Sequence, residues 1–122
     1  VTITIEKHNL PPLAVDDFFV TDLNTTLVVP APGILENDTD PNPADTLVTD
    51  LREGPKFGTL ALGEDGSFIY QPDPGFFGED SFVYNLIGWP KNREGDSQFI
   101  DTATVFITVN PYGRIFMPIG KR

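Results

Sequence analysis

The chain has 122 residues, enough for one domain built on one hydrophobic core. A net charge of −10 disfavours nucleic acid and anionic membranes as partners, and the lack of cysteine excludes disulfides and thiolate metal sites. Twelve prolines and eleven glycines argue against long helices, whereas ten phenylalanines among many Val, Ile and Thr favour strands.

In chain order, Val1, Ile3 and Ile5 alternate with Thr2, Thr4 and Glu6, which predicts an opening strand. Pro11-Pro12 follows as a break. Leu13–Thr21 is an apolar stretch interrupted by Asp16-Asp17, and Thr26–Val29 is a short strand that Pro30 ends. Pro30–Asp45 is rich in turn formers. Further strands are expected over Thr46–Arg52, Lys56–Leu62, Ser67–Gln71, Ser81–Ile87 and Phe99–Val109, with Gly63–Gly66 as a tight hairpin turn. Short strands at this spacing predict an antiparallel sandwich, and no segment has helical periodicity. Ala103, Val105, Ile107 and Val109 form one apolar face, Phe82, Tyr84 and Leu86 another, and Phe68 and Tyr70 add aromatic bulk. Each large side chain buried contributes roughly 1.5–3 kcal/mol, so a dozen can hold such a domain without disulfides.

Four segments carry a family resemblance. They are "AVDD" (Ala14–Asp17), "VPAPGILENDTDPN" (Val29–Asn42), "GTLALGEDGSFIYQPDPGFFGEDSFVY" (Gly58–Tyr84) and "TATVFITVNP" (Thr102–Pro111). In order and spacing they resemble one unit of the bacterial cadherin-like, immunoglobulin-like repeats of large secreted surface proteins and adhesins. The resemblance implies an all-β, Greek-key sandwich over residues 13–111. It also implies that residues 1–12 are an extra strand and linker like the tail of a preceding unit. Residues 112–122 replace the usual next linker with an extended tail. That tail resembles the short Arg-Ile-aromatic-apolar-Pro ending of some bacterial secreted proteins.

"ENDTDPNPAD" concentrates acids and amides in a turn. Calcium takes six to eight hard oxygen ligands, and closely spaced Asp and Asn supply several. The resemblance implies calcium in many members, held by this loop with the Asp-Asp of the first strand. Carried over, the candidates are Asp17, Asn37, Asp38, Asp40 and Asp45. Asp16 and Asp17 point to opposite faces of a strand, so at most one meets the loop. The ordinary alternative is a solvated loop whose side chains cap their own backbone. Pro43-Ala44 also departs from the spacing of the better binders. At Glu79-Asp80, a structural reading is preferred: Asp80 caps the corner and Tyr84 bonds backbone near it.

No catalytic constellation assembles. His8 is the lone histidine, and Ser67, Ser81 and Ser97 have neither a nucleophile elbow nor a partner base. Phosphate loops and zinc spacings are missing, so the chain reads as a non-enzyme. Trp89, expected on a loop with basic neighbours, suits a protein contact or stacking on a sugar.

The opening strand has three readings: it folds back and pairs with its own domain, it is left from trimming a longer tandem protein, or it enters the sheet edge of a neighbouring copy. Val1, Ile3 and Ile5 buried in a neighbour's sheet edge contribute about 5–9 kcal/mol, and ordering seven residues costs about 7–14 kcal/mol. Strand addition therefore needs domain contacts beside it, for which Ile115, Phe116, Met117 and Trp89 are candidates. The expectation is a secreted or cell-surface structural subunit that joins copies of itself head-to-tail into a fibre or surface layer. The alternative is a calcium-assisted adhesion or carbohydrate-binding module, with a surface glycan or protein as partner.

Overall fold

The structure, a computed structural model, describes residues 12–41, 46–89 and 99–112, with the side chains of Trp89 and Phe99 outside that description. Seven strands follow in chain order: β1 (Asp17–Asp22), β2 (Leu27–Val29), β3 (Thr46–Glu53), β4 (Gly58–Leu62), β5 (Phe68–Pro72), β6 (Gly78–Trp89) and β7 (Phe99–Asn110). A single 3₁₀ turn, Gly33–Leu35, lies between β2 and β3. The strands form a sandwich of two sheets, ordered β1-β7-β6-β3 and β2-β5-β4. This is the immunoglobulin-like, cadherin-like arrangement that the sequence predicts.

The elements follow from side-chain alternation. Phe68 and Tyr70 in β5, Phe82, Tyr84 and Leu86 in β6, and Ala103, Val105, Ile107 and Val109 in β7 all face inward and are buried. They form one core with Ile34. Aromatic edges run across it: Phe19 meets Phe68 with ring centroids 5.1 Å apart, and Phe68 meets Phe82 at 5.4 Å. Such edge-to-face pairs stabilise beyond simple area burial. The two sheets are laced at one side by Thr49, whose hydroxyl donates to the Gly63 carbonyl at 2.7 Å.

One pairing departs from the antiparallel expectation. β1 runs parallel to β7, with Asp17 opposite Val105 and Asp22 opposite Asn110. The reason is topological. The chain leaves the first sheet after β1, crosses to the other sheet at β2, re-enters the first at β3 and β6, and sets only β7 beside β1, running in the same sense. Alternation within a strand carries no information about such a partner.

Two glycines set the position of the Pro30–Asn37 loop. Gly33 has φ +52°, and a Cβ there would stand 2.0 Å from the Gly66 carbonyl oxygen. Gly66 has φ +89°, and its Cβ would stand 2.1 Å from the Pro32 oxygen. Only glycine permits both the backbone twist and this approach. Ile34 N–H then donates to Gly66 O at 3.0 Å, pinning the loop onto the β4–β5 hairpin.

Candidate functional site

The acidic loop meets the incoming chain at the pole where β1 begins. Leu13 and Thr39 exchange two backbone hydrogen bonds, of 2.7 and 3.1 Å. Carboxylates then hold the segment residue by residue. Ala14 N–H donates to Asp101 at 2.8 Å, Val15 N–H to Asp38 at 2.9 Å, and Asp16 accepts the N–H of Thr104 at 2.9 Å. The second oxygen of Asp38 accepts the Tyr84 hydroxyl at 2.6 Å. Asp38 is buried, and burial pushes its carboxyl above the usual range, opposed by the bonds from Tyr84 and Val15. Burial, followed by the Asp38 carboxylate, pushes the Tyr84 hydroxyl up as well.

Asp17 is different. It is 9% exposed, and its Oδ2 is buried without a hydrogen-bond partner. Its pKa is raised to about 6, first by burial and then by the nearby Asp38 carboxylate, with Asn37 and Tyr84 opposing. Asp16 is exposed while Asp17 faces inward, the split expected of neighbours on a strand. Asn37 is exposed, and its amide reaches the Asp16 carbonyl at 3.5 Å. Asp40 is half-buried on the same loop. Asp45 lies outside the described residues, as do Val1, Ile3, Ile5, Ile115, Phe116 and Met117.

Beside Asp17 runs a groove of about 530 Å³ on the open side of the sandwich. β1 contributes Asp17 and Phe19, and the end of β2 and its loop contribute Val29, Pro30, Pro32, Glu36 and Asn37. The groove thus separates an edge strand of one sheet from an edge strand of the other.

The described residues among these do not form a calcium cage. Asp38 is committed to Tyr84 and Val15, Asp101 to Ala14 and Asp16 to Thr104. Among the described residues no three acidic or histidine side chains stand together to hold a metal ion. A cation with six to eight oxygen ligands is not matched by the orphaned oxygen of Asp17 and its exposed neighbours.

Two sequence expectations need correction. Tyr84 does not bond near the Asp80 corner but reaches Asp38 at the opposite pole; Tyr70 is the partner of Asp80, at 2.7 Å. Burial, and then the Asp80 carboxylate, raises the Tyr70 hydroxyl. Asp80 also accepts the N–H groups of Lys56 and Phe57, both at 3.0 Å, and so does cap a corner. Trp89, expected on a loop, is instead the last residue of β6, opposite Thr46. Sequence reasoning missed Tyr84 and Asp101 as partners of the acidic pole. The sequence assigns Tyr84 to the Asp80 corner instead, and Asp101 lies in a separate strand.

A two-sheet sandwich whose acidic loop clasps the incoming chain defines the class of immunoglobulin-like repeat modules. The chain belongs to the bacterial cadherin-like domain family, whose sequence profile matches residues 9–111. Domains of this family occur in surface or secreted proteins, and they generally bind calcium. No curated protein sequence matches the chain. Among solved structures it is similar to a nucleoside hydrolase-related protein from Saccharophagus degradans associated with carbohydrate metabolism. That match has a TM-score of 0.57 at 15% identity, over 84% of this chain and 26% of the other. An endo-fucoidan hydrolase of glycoside hydrolase family 107 is similar at a TM-score of 0.44 and 21% identity, over 88% of this chain and 14% of its own. The chain therefore spans about a quarter or less of these proteins, and the likeness to the first is one of fold. No helix among the described residues is long and apolar enough to cross a membrane.

Proposed function

We propose that this domain is a non-catalytic building unit of a secreted or cell-surface protein, and that it joins a neighbouring copy by strand addition along the groove between β1 and β2. The observation that carries this reading is the pair of edge strands flanking the groove. Among the described residues β1 and β2 each end a sheet, and each leaves one side of its backbone for a partner. Their outward residues are apolar: Phe18 is 74% exposed, Val20 59% and Val28 63%. Charged or proline guards, the usual protection of an edge, are absent from Phe18–Val20 and Leu27–Val29. The core among the described residues is already closed, so an added strand extends a complete sandwich rather than completing a partial one. Such a head-to-tail contact propagates into a filament unless its geometry closes a ring.

Sedimentation velocity of the full chain across a concentration series, with negative-stain microscopy, tests this. The expected result is concentration-dependent growth that is lost in the Val20→Lys, Val28→Lys double variant, in which both edges are guarded. A chain that stays monomeric throughout the series sinks the proposal. So does a double variant that associates as the native chain does.

A further inference from the structure

The groove has a chemical character that edge pairing alone does not explain. Its floor holds Asp17, nine-tenths buried, with an oxygen that no donor satisfies. Its rim carries exposed Glu36 and Asn37, and its walls are Phe19, Pro30 and Pro32. A buried carboxylate oxygen left without a donor in a partly apolar cleft calls for a cationic donor. A calcium ion asks for more oxygens than this cleft offers. A guanidinium asks for two or three acceptors in a plane and lays an aliphatic stem along apolar walls.

The chain itself contains a matching segment. Residues 112–122 read YGRIFMPIGKR, with three of the chain's eight basic residues, Arg114, Lys121 and Arg122, and no acid among them. Delivery between molecules follows from the head-to-tail joining proposed above. Because β1 and β7 are parallel, Tyr112 follows β7 at the Asp22 end, whereas Asp17 lies at the other end of β1. Five residue steps along a strand separate these ends by ~17 Å. In a head-to-tail pair, the pole where Tyr112 emerges faces the pole that holds Asp17 in the next copy.

We infer that the groove receives the C-terminal segment of a second copy, with Arg114 seated against Asp17 and Glu36 and the apolar residues beside it covered by Phe19, Pro30 and Pro32. The inference rests on the joining of units proposed above and names the segment and the contact that make it.

A fluorescein-labelled peptide of residues 112–122 is titrated into the full chain and followed by anisotropy, with self-association measured on the same samples. Saturable binding is expected, weakened by roughly tenfold or more when the peptide carries Arg114→Gln or the protein carries Glu36→Lys. Glu36 is exposed, so that variant does not test folding. Binding that ignores both substitutions overturns the inference. Self-association of the full chain without peptide binding also overturns it, while leaving units joined through another segment. Peptide binding by a chain that never self-associates overturns a second copy as the occupant. Calcium that displaces the peptide and raises the melting temperature in an Asp17-dependent way overturns it in favour of a metal.

Discussion

Tyr84 donates its hydroxyl to Asp38 at 2.6 Å, across 46 positions of sequence. The bond joins the middle of a central strand to the loop that clasps the incoming chain. Asp38 in turn accepts the N–H of Val15, so one buried carboxylate holds two elements that neither sheet pairing reaches.

Tyr84→Phe removes one of these donors without opening a cavity. The ring stays in the core, but a buried carboxylate oxygen loses its partner. The expected cost is about 2 kcal/mol, read as a shift of the urea midpoint at unchanged slope. Hydrogen exchange at the Val15 amide is expected to speed up along with it, because Asp38 is then free to leave. Unchanged exchange there would show that the clasp does not depend on Tyr84.

Asp17 makes stability fall as pH rises. Its folded pKa of about 6 lies above the ordinary aspartate value of 3.8, so between these values the folded state binds the extra proton. Below the lower value both states are protonated and nothing is lost; above the higher one the whole cost of the buried charge is present. With solvent screening counted, that cost is on the order of 2 kcal/mol. Asp17→Asn removes it. The difference in melting temperature between Asp17→Asn and the native chain is expected to grow from pH 4 to pH 6.5 and then level off. A flat difference across that window would remove Asp17 as the cause.

Calcium is expected to leave the domain's melting curve in place. Asp16, Asp38 and Asp101 are occupied by backbone and tyrosine donors, and no three described acidic side chains gather around one point. Differential scanning calorimetry in EDTA and at ~1 mM calcium, the range typical of extracellular modules, checks this. An upward shift with calcium that Asp38→Asn abolishes would overturn it.

Asp80 is the strongest single polar anchor at the far pole. It is buried and accepts from Tyr70, Lys56, Phe57 and Ser81. Asp80→Ala strands all four donors and is expected to cost roughly 3 kcal/mol by chemical denaturation. Tyr70→Phe, which leaves the other three in place, is expected to cost about 1–2 kcal/mol. Equal costs would mean that the backbone donors contribute nothing.

Gly66→Ala tests how the groove wall is held. The added methyl would meet the Pro32 oxygen at 2.1 Å, on backbone that L-residues rarely adopt. A loss of about 2–3 kcal/mol is expected, from overpacking and the unfavourable φ together. Backbone chemical shifts over Pro30–Asn37 should move while those in β6 and β7 hold still.

Much of the fold is legible in the residues themselves. Phe82, Tyr84 and Leu86, or Val105, Ile107 and Val109, announce their buried face because a strand repeats every two residues and needs no partner to do so. The same locality put Asp16 and Asp17 on opposite faces, but only the structure shows that Asp17 is the one turned inward. Strand ends were less visible: Trp89 belongs to β6 because its backbone pairs with Thr46, a fact held by another segment.

The sequence alone therefore determined a strand-rich sandwich, its inward faces and the crowding of acids between Glu36 and Asp45, all consequences of neighbours along the chain. Only the tertiary structure decided that β1 lies parallel to β7, that Asp38 belongs to Tyr84, that Asp101 belongs to Ala14, and that Asp17 is left over. A carboxylate that will accept a backbone N–H and one that will await a cation are the same group in sequence. What separates them is which donors arrive from 46 or 87 positions away, and whether water is still there when they do.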